Sequence, residues 1–507
     1  MLFKKMTIVF KSIIPVRISI FLLCFIFIGL ISMPPVSAQS EKNITDKDIS
    51  LAIDRELIFD ESVNSQLIDV TTNDGIVTLS GMVDNILEKE RAVRIAETIK
   101  GVRSVINRLA VTAINIPDEQ IQQNVQIALI NDTATDSWEI DASVKNGIVT
   151  LKGKVDSWAE KKLAAQVAKG VKGVRDLKND IKINYQSDRS DYEIKMDIKN
   201  QLKSSIWIDD ALVDVNVKNG KVKLSGVVGS AAEKRRVFSK SWVAGVRMVD
   251  DSDLDVKWWR RDEMQRDTKY SIVSDDTLQQ NISEALALDP RVYSYNIDVD
   301  VENAIVTLTG EVEDLRAKRA AEDDAMNTLG VVRVKNYLKV RPEKMFSDKE
   351  IINYVEGALK RDPFIERYKI NIMSINRKVY LNGRVDSDFE KEHAERITSS
   401  QPGVVDIDNN LIVDYIWEPK SDQAIKEDIK DEFFWSLFID SDDVDLEVDN
   451  GHVILGGEVD SRYEMQAAVE NAFEGGARTV ENNLEAKYDV GPSLPGKYYE
   501  RPYWLFY

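Results

Sequence analysis

His393 and His452 are the only imidazoles in this 507-residue chain, so proton shuttling or Ser-His-Asp chemistry would have to use one of them. Neither is accompanied by a G-x-S-x-G elbow, and the two fall in different copies of a repeat described below, so both read as surface or turn residues. The single cysteine, Cys24, lies in an N-terminal apolar run. Once that run is removed no thiol remains, which excludes a disulfide, a thiolate metal site and a cysteine nucleophile. GPSLPGK, 491–497, has the outline of a phosphate loop, but two prolines interrupt it and Tyr498 stands where a Ser or Thr is required. The acid-rich run DSDDVDLEVDNG, 440–451, offers hard oxygen ligands without the glycine and closing glutamate of a calcium loop. There Asp445, Glu447 and Asp449 alternate with Leu446 and Val448, the pattern of a solvated strand face.

Two aromatic stretches are harder to read as scaffold. Trp258-Trp259-Arg260-Arg261, followed by Arg266 and Lys269, suits the headgroup zone of a bilayer, where indole rings sit at the boundary and guanidinium groups meet phosphate. The competing reading is a clamp between repeats, its tryptophans buried against the flanking domains. KYYERPYWLFY closes the chain with five Tyr or Phe residues and Trp504 in its last ten positions. An apolar tail of this kind docks either on the rest of the chain or on a partner. Trp258, Trp259, Arg260, Arg261 and Trp504 are therefore the candidate membrane contacts.

Stepping outward from these residues, the chain is periodic. GIVTLSGMVDN at Gly75 returns as GIVTLKGKVDS at Gly147, and weaker copies start at Gly220, Ala304, Arg377 and Gly451. The inner glycines, Gly81, Gly153, Gly226, Gly310, Gly383 and Gly457, are spaced by 72, 73, 84, 73 and 74 residues. A domain of about 70 residues hides only about 60% of its unfolded surface, so packing against neighbours would help each one. In the first copy Ile49, Ala52, Ile53 and Leu57 mark one helical face, with Thr45 or Asp46 as its cap. Two alternating segments joined by Asp74-Gly75 predict a hairpin. Asn146-Gly147, Asn219-Gly220 and Asn450-Gly451 repeat that joint, whereas Asn303-Ala304 and Asn376-Arg377 predict a different or longer turn. Ala92, Ile95, Ala96 and Ile99 mark a second helix, and a last strand runs from about residue 107 to 113. The expected fold class is α+β: a tandem array of six α-β-β-α-β domains, each a three-stranded sheet with two helices on one face. The V-x-L-x-G glycine could mark the approach of a ligand to the backbone, and reads instead as scaffold, at a bulge or a close helix contact in a strand.

With its inner V-x-L-x-G-x-V and later G-V-x-x-V, this unit resembles the BON domain, named for bacterial osmotically inducible and nodulation proteins. The resemblance covers 46–114, 118–185, 190–257, 276–341, 347–416 and 421–488, with a linker at 258–275 and an aromatic tail at 489–507. It implies a non-enzymatic envelope protein, usually periplasmic, that binds phospholipid surfaces or other envelope components under osmotic stress. It transfers no catalytic residue and no cofactor.

Residues 1–38, with Lys4, Lys5, Lys11 and Arg17 before an apolar run and Val36-Ser37-Ala38 at its end, read as a cleaved export signal to the periplasm. Its loss takes the formal charge from −19 to −23 by removing four basic residues, which argues against a nucleic-acid partner. The second helices carry Lys161-Lys162, Lys234-Arg235-Arg236 and Lys318-Arg319. Nearby Glu160, Glu233, Glu322 and Asp323 predict ordinary i,i+4 pairing for them, with lipid contact as the alternative. Two functions follow: multivalent attachment to a membrane surface or envelope component, or a periplasmic chaperone holding unfolded protein clients. Both spread binding over six modules and concentrate nothing in one pocket.

Overall fold

The structure is a computed structural model that describes residues 44–112, 114–135, 140–185, 189–259, 273–365, 368–414, 420–436, 439–459, 462–486 and 497–500. The N-terminal segment read as an export signal, Arg260, Arg261 and Trp504 lie outside the described residues.

In the first repeat, α1 (Asp46–Phe59) is followed by β1 (Ile68–Asn73), β2 (Ile76–Val83), α2 (Ile86–Glu97) and β3 (Ser104–Val111). Thr45 caps α1 in a reciprocal box with Asp48, and Asn85 caps α2 by accepting from the Glu88 N–H. The same order of helix, hairpin, helix and strand recurs in the other five repeats. β1 and β2 pair antiparallel, β2 and β3 parallel, so β2 is central and α2 is the crossover. Both helices lie on one face. Val77, Leu79 and Val83 turn toward it and are buried, together with Ile49, Ile53 and Leu57 of α1 and Ala92 and Ala96 of α2.

The hairpin turn is one and the same in all six copies. Asn303 and Ala304 have φ of 52° and 60°, and Asn376 and Arg377 have 53° and 69°, matching 51° and 68° at Asp74 and Gly75. The departure expected at Ala304 and Arg377 therefore does not occur, although a side chain in the left-handed region costs roughly 1–2 kcal/mol. Its compensation lies in the first helix. Asp46 accepts the N–H groups of Asp74 and Gly75 at 2.7 and 2.9 Å, and Asp275 accepts those of Asn303 and Ala304 at 2.8 and 2.9 Å. Asp118, Asp191, Asp348 and Asp422 do the same in their repeats. Each carboxylate thus ties a helix N-terminus to the hairpin 28 residues further on.

The repeats keep their own cores but do not hang as beads on a string. The fourth and fifth share one continuous core, Ile86 of the first repeat joins the core of the second, and the first core takes in Ala231 of the third and Trp435 of the sixth. The last contact brings together the two ends of the array. Arg55 of α1 reaches Asp431 at 2.7 Å and Glu432 at 3.3 Å, and the Lys100 N–H donates to the Trp435 carbonyl.

Candidate functional site

The inner glycines are held by the hairpin. Gly310 has a φ of 121°, and a Cβ there would sit 2.0 Å from the Asn296 carbonyl oxygen, just before the paired strand Ile297–Glu302. The strands pair there without a bulge; the space is closed by the last carbonyl of the 3-10 helix Ser294–Asn296 that leads into the paired strand.

The two described tryptophans of the linker part company. Trp258 is half-buried, edge-on to Trp259 with centroids 6.2 Å apart, and the Lys100 ammonium lies 5.9 Å from its ring and 5.1 Å from that of Phe434. The cation beside it therefore belongs to the first repeat, which does not flank the linker in sequence, and that cation also faces a ring of the sixth. Trp259 is 45% exposed. Of the tail, Lys497–Glu500 forms a strand that pairs antiparallel with Thr479–Asn482 and extends the sixth sheet. Along the acid run, Asp445, Glu447 and Asp449 are exposed, as a solvated strand face requires.

The modules share an interior that no sequence period announces. The second helices of all six repeats face a shared cavity of about 2460 Å³, so the surface common to the modules lies inside the body as well as on it. His393 lines this cavity. Its Nε2 meets Asp362 Oδ2 at 2.8 Å, its Nδ1 meets Arg396 Nη2 at 2.8 Å, and its ring stacks on Phe389. Arginine can only donate, so Nδ1 accepts and Nε2–H donates. His452 is engaged elsewhere, by Thr479 and Glu481.

Carboxyl groups gather on one side of the cavity. Oxygens of Glu56, Glu432 and Glu474 lie within 4.8 Å of one another, the closest approach of three acidic groups among the described residues. Three oxygens at this spacing match the hard ligands of a divalent cation, yet protons can relieve the same repulsion. Burial, then Glu474 and the hydrogen bond to Glu432, push Glu56 up to about 10. Burial followed by Glu474 does the same for Glu470, also to about 10, and burial raises Glu392 to about 8.

On another side the basic residues of the second helices meet acids of other repeats, which corrects the i,i+4 pairing expected from sequence. Lys169 pairs with Glu90, Arg235 with Glu97 and Arg319 with Glu395. Lys161 and Lys234 donate instead to the carbonyls of Ile181 and Leu254, both at 2.7 Å. The acids beside them are engaged at their helix N-termini: Glu160 accepts from Asp156 N–H and the Ser157 hydroxyl, Glu233 from the N–H groups of Asp209 and Gly229. Only the cross-repeat geometry reveals these partners. A one-dimensional pattern holds no sign of a contact between helices 76 or 138 residues apart.

Cores, turns and interior together define a repeat-built scaffold, in which one small module is used six times and closed round a common space. The chain belongs to the BON domain family, whose pattern matches residues 45–113, 117–185, 190–257, 274–342, 347–415 and 421–488. It is similar to Osmotically-inducible protein Y of Escherichia coli strain K12, with 31% identity over 144 residues, 27% of this chain and 72% of that protein. It is also similar to Outer membrane lipoprotein DolP of Haemophilus influenzae, with 27% identity over 143 residues, 27% of this chain and 74% of that protein. The C-terminal domain of CdsD, the structural protein of the Type III secretion system of Chlamydia trachomatis, aligns with 42% of this chain and 100% of its own at 19% identity. Its TM-score of 0.12 is too loose a superposition to inform fold or function.

Proposed function

We propose that this protein is a non-enzymatic, exported envelope protein that attaches multivalently to phospholipid surfaces and serves cells under osmotic or envelope stress. The carrying observation is which side of each module faces out. With the second helices turned toward the cavity, the outward surfaces display large apolar side chains singly or in small groups, on first helices (Leu51, Ile58, Ile130) and on the open sheet faces. Those of the sheet faces are Met82 and Ile106 in the first repeat, Ile148 in the second, Met248 in the third, and Met373, Ile375 and Ile412 in the fifth, each between 41% and 56% exposed. Trp259 follows the third strand of the third repeat, Met248–Val256, by three residues and is 45% exposed, with Arg260-Arg261 next in sequence. Weak sites on linked modules gain avidity from the linkage. The two relatives, one an osmotically inducible protein by name and one an outer membrane lipoprotein, favour the same setting. No helix among the described residues is long and apolar enough to cross a membrane, so contact of this kind would be peripheral. Flotation of the intact chain with phosphatidylglycerol vesicles tests the reading. The native chain is expected to float at about physiological salt, where the repulsion between an acidic chain and anionic vesicles is screened, and Trp259→Ala to float several-fold less; failure of the native chain to float at any ionic strength would overturn it.

A further inference from the structure

The fifth repeat carries its arginine in a different place from the first three. There the hairpin turn ends in glycine, and an arginine from the start of the third strand lays its stem over it: Arg103 over Gly75, Arg175 over Gly147 and Arg247 over Gly220. In the fifth repeat Val405 takes that place, its N–H donating to the Arg377 carbonyl as the Arg103 N–H donates to that of Gly75. The arginine stands in the turn itself, at a φ of 69° that strains any side chain. A strained conformation kept where glycine would relieve it points to a use for the side chain.

Arg377 and Val405 line a pocket of about 430 Å³ between the fourth and fifth repeats. Three more cations line it, Lys318 of Leu315–Met326 and Lys339 and Arg341 at the end of the fourth sheet, against one acid, Asp406. Asp406 is taken by Lys378 at 3.0 Å. Arg341 has only Glu311 at 3.8 Å, with both side chains 59% exposed, a contact worth little. The Arg377 guanidinium meets the Met345 sulfur at 3.5 Å, while Asp348 is committed to the two N–H groups of the turn and to the Ser374 hydroxyl. In the second and third repeats the lysines that match Lys318, Lys161 and Lys234, donate to the carbonyls of Ile181 and Leu254. Lys318 makes no such bond, and among the described residues neither it nor Lys339 has a carboxylate partner.

Lys318, Lys339 and Arg377 thus share one pocket without an acid of their own, in a chain whose formal charge is −19. Lys318 and Arg377 are half-buried, Lys339 and Arg341 exposed, and Leu315, Leu338 and Val340 supply apolar lining. Guanidinium and ammonium groups around a small pocket match a phosphoryl group, whose several oxygens can each take a charge-assisted hydrogen bond.

We propose that this pocket binds a phosphate-bearing anion, with Arg377 and Lys318 as its inner contacts and Lys339 and Arg341 at its rim. The site does not depend on Trp259 or on the membrane attachment read above.

Calorimetric titration of the intact chain with inorganic phosphate, pyrophosphate and phosphatidylglycerol vesicles tests the proposal, with sodium chloride at matched ionic strength as the comparison. The expected result is saturable binding of at least one phosphate-bearing probe, weakened about tenfold or more in Arg377→Gly. That variant restores the residue found at this point of the turn in four other repeats, so its chemical-denaturation midpoint should be no lower than that of the native chain. Lys318→Gln should also weaken binding. Lys182→Gln, which removes an exposed charge at the matching place of the second repeat, should leave it unchanged. Binding of the soluble probes identifies a free phosphate or pyrophosphate as the source, and binding of vesicles alone, lost in Arg377→Gly, identifies a lipid headgroup. The proposal is overturned if no probe binds, if chloride reproduces the effect, or if Arg377→Gly and Lys318→Gln bind as the native chain does. A chain that floats on vesicles yet shows no binding dependent on Arg377 would keep its attachment surface and lose only this site.

Discussion

A single carboxylate per repeat decides whether its hairpin closes. Asp275 accepts two N–H groups from a turn whose second residue, Ala304, holds a φ of 60°. Asp275→Ala would leave those donors without their charged acceptor and the strained turn without support, at a cost of about 1–3 kcal/mol. Chemical denaturation should show this as a lower midpoint, and Asp275→Asn, which keeps one acceptor oxygen, should lose less. The sequence announced the hairpin through Asp74-Gly75 and its Asn-Gly counterparts, because those types favour positive φ. It misled at Asn303-Ala304 and Asn376-Arg377 for the reason that local preference yields to a tertiary bond of sufficient strength. The signal that could have corrected the reading was present: an aspartate recurs 28 residues before every one of these turns.

Elements were legible wherever their apolar period is local. The faces set by Ile49, Ala52, Ile53 and Leu57 and by Ala92, Ile95 and Ala96 are the buried faces of α1 and α2, and the alternation in IVTLSGMV is the inward and outward alternation of β2. What periodicity does not carry is the close approach of backbones. Gly310→Ala would push a methyl to within 2.0 Å of the Asn296 carbonyl oxygen, so the central strand and its antiparallel partner would have to separate there. The expected cost is at least about 3 kcal/mol. Hydrogen exchange should show protection lost in the fourth and fifth repeats together, since they share a core, with the second repeat much less affected.

Over the whole molecule the partners of one repeat lie on others that no sequence period points to, and that is why the interior and its charges were not legible. Glu56, Glu392 and Glu470 come from the first, fifth and sixth repeats, and each holds a proton in the folded body well above the ordinary glutamate value of 4.5. Above that value the unfolded chain has released these protons and the folded one has not, so stability falls as pH rises. The contribution is complete below about 4.5 and drains away through about 8 for Glu392 and about 10 for Glu56 and Glu470. Thermal midpoints should therefore decline between about pH 5 and about pH 8, and Glu56→Gln together with Glu470→Gln should flatten that slope. An unchanged slope in the double variant would place the proton linkage elsewhere. The insertion of Trp435 into the first core has a further consequence, one of timing. A polypeptide delivered N-terminus first makes its opening module early and completes that module's interior only when the closing one arrives, so the earliest piece to emerge is among the last to be finished.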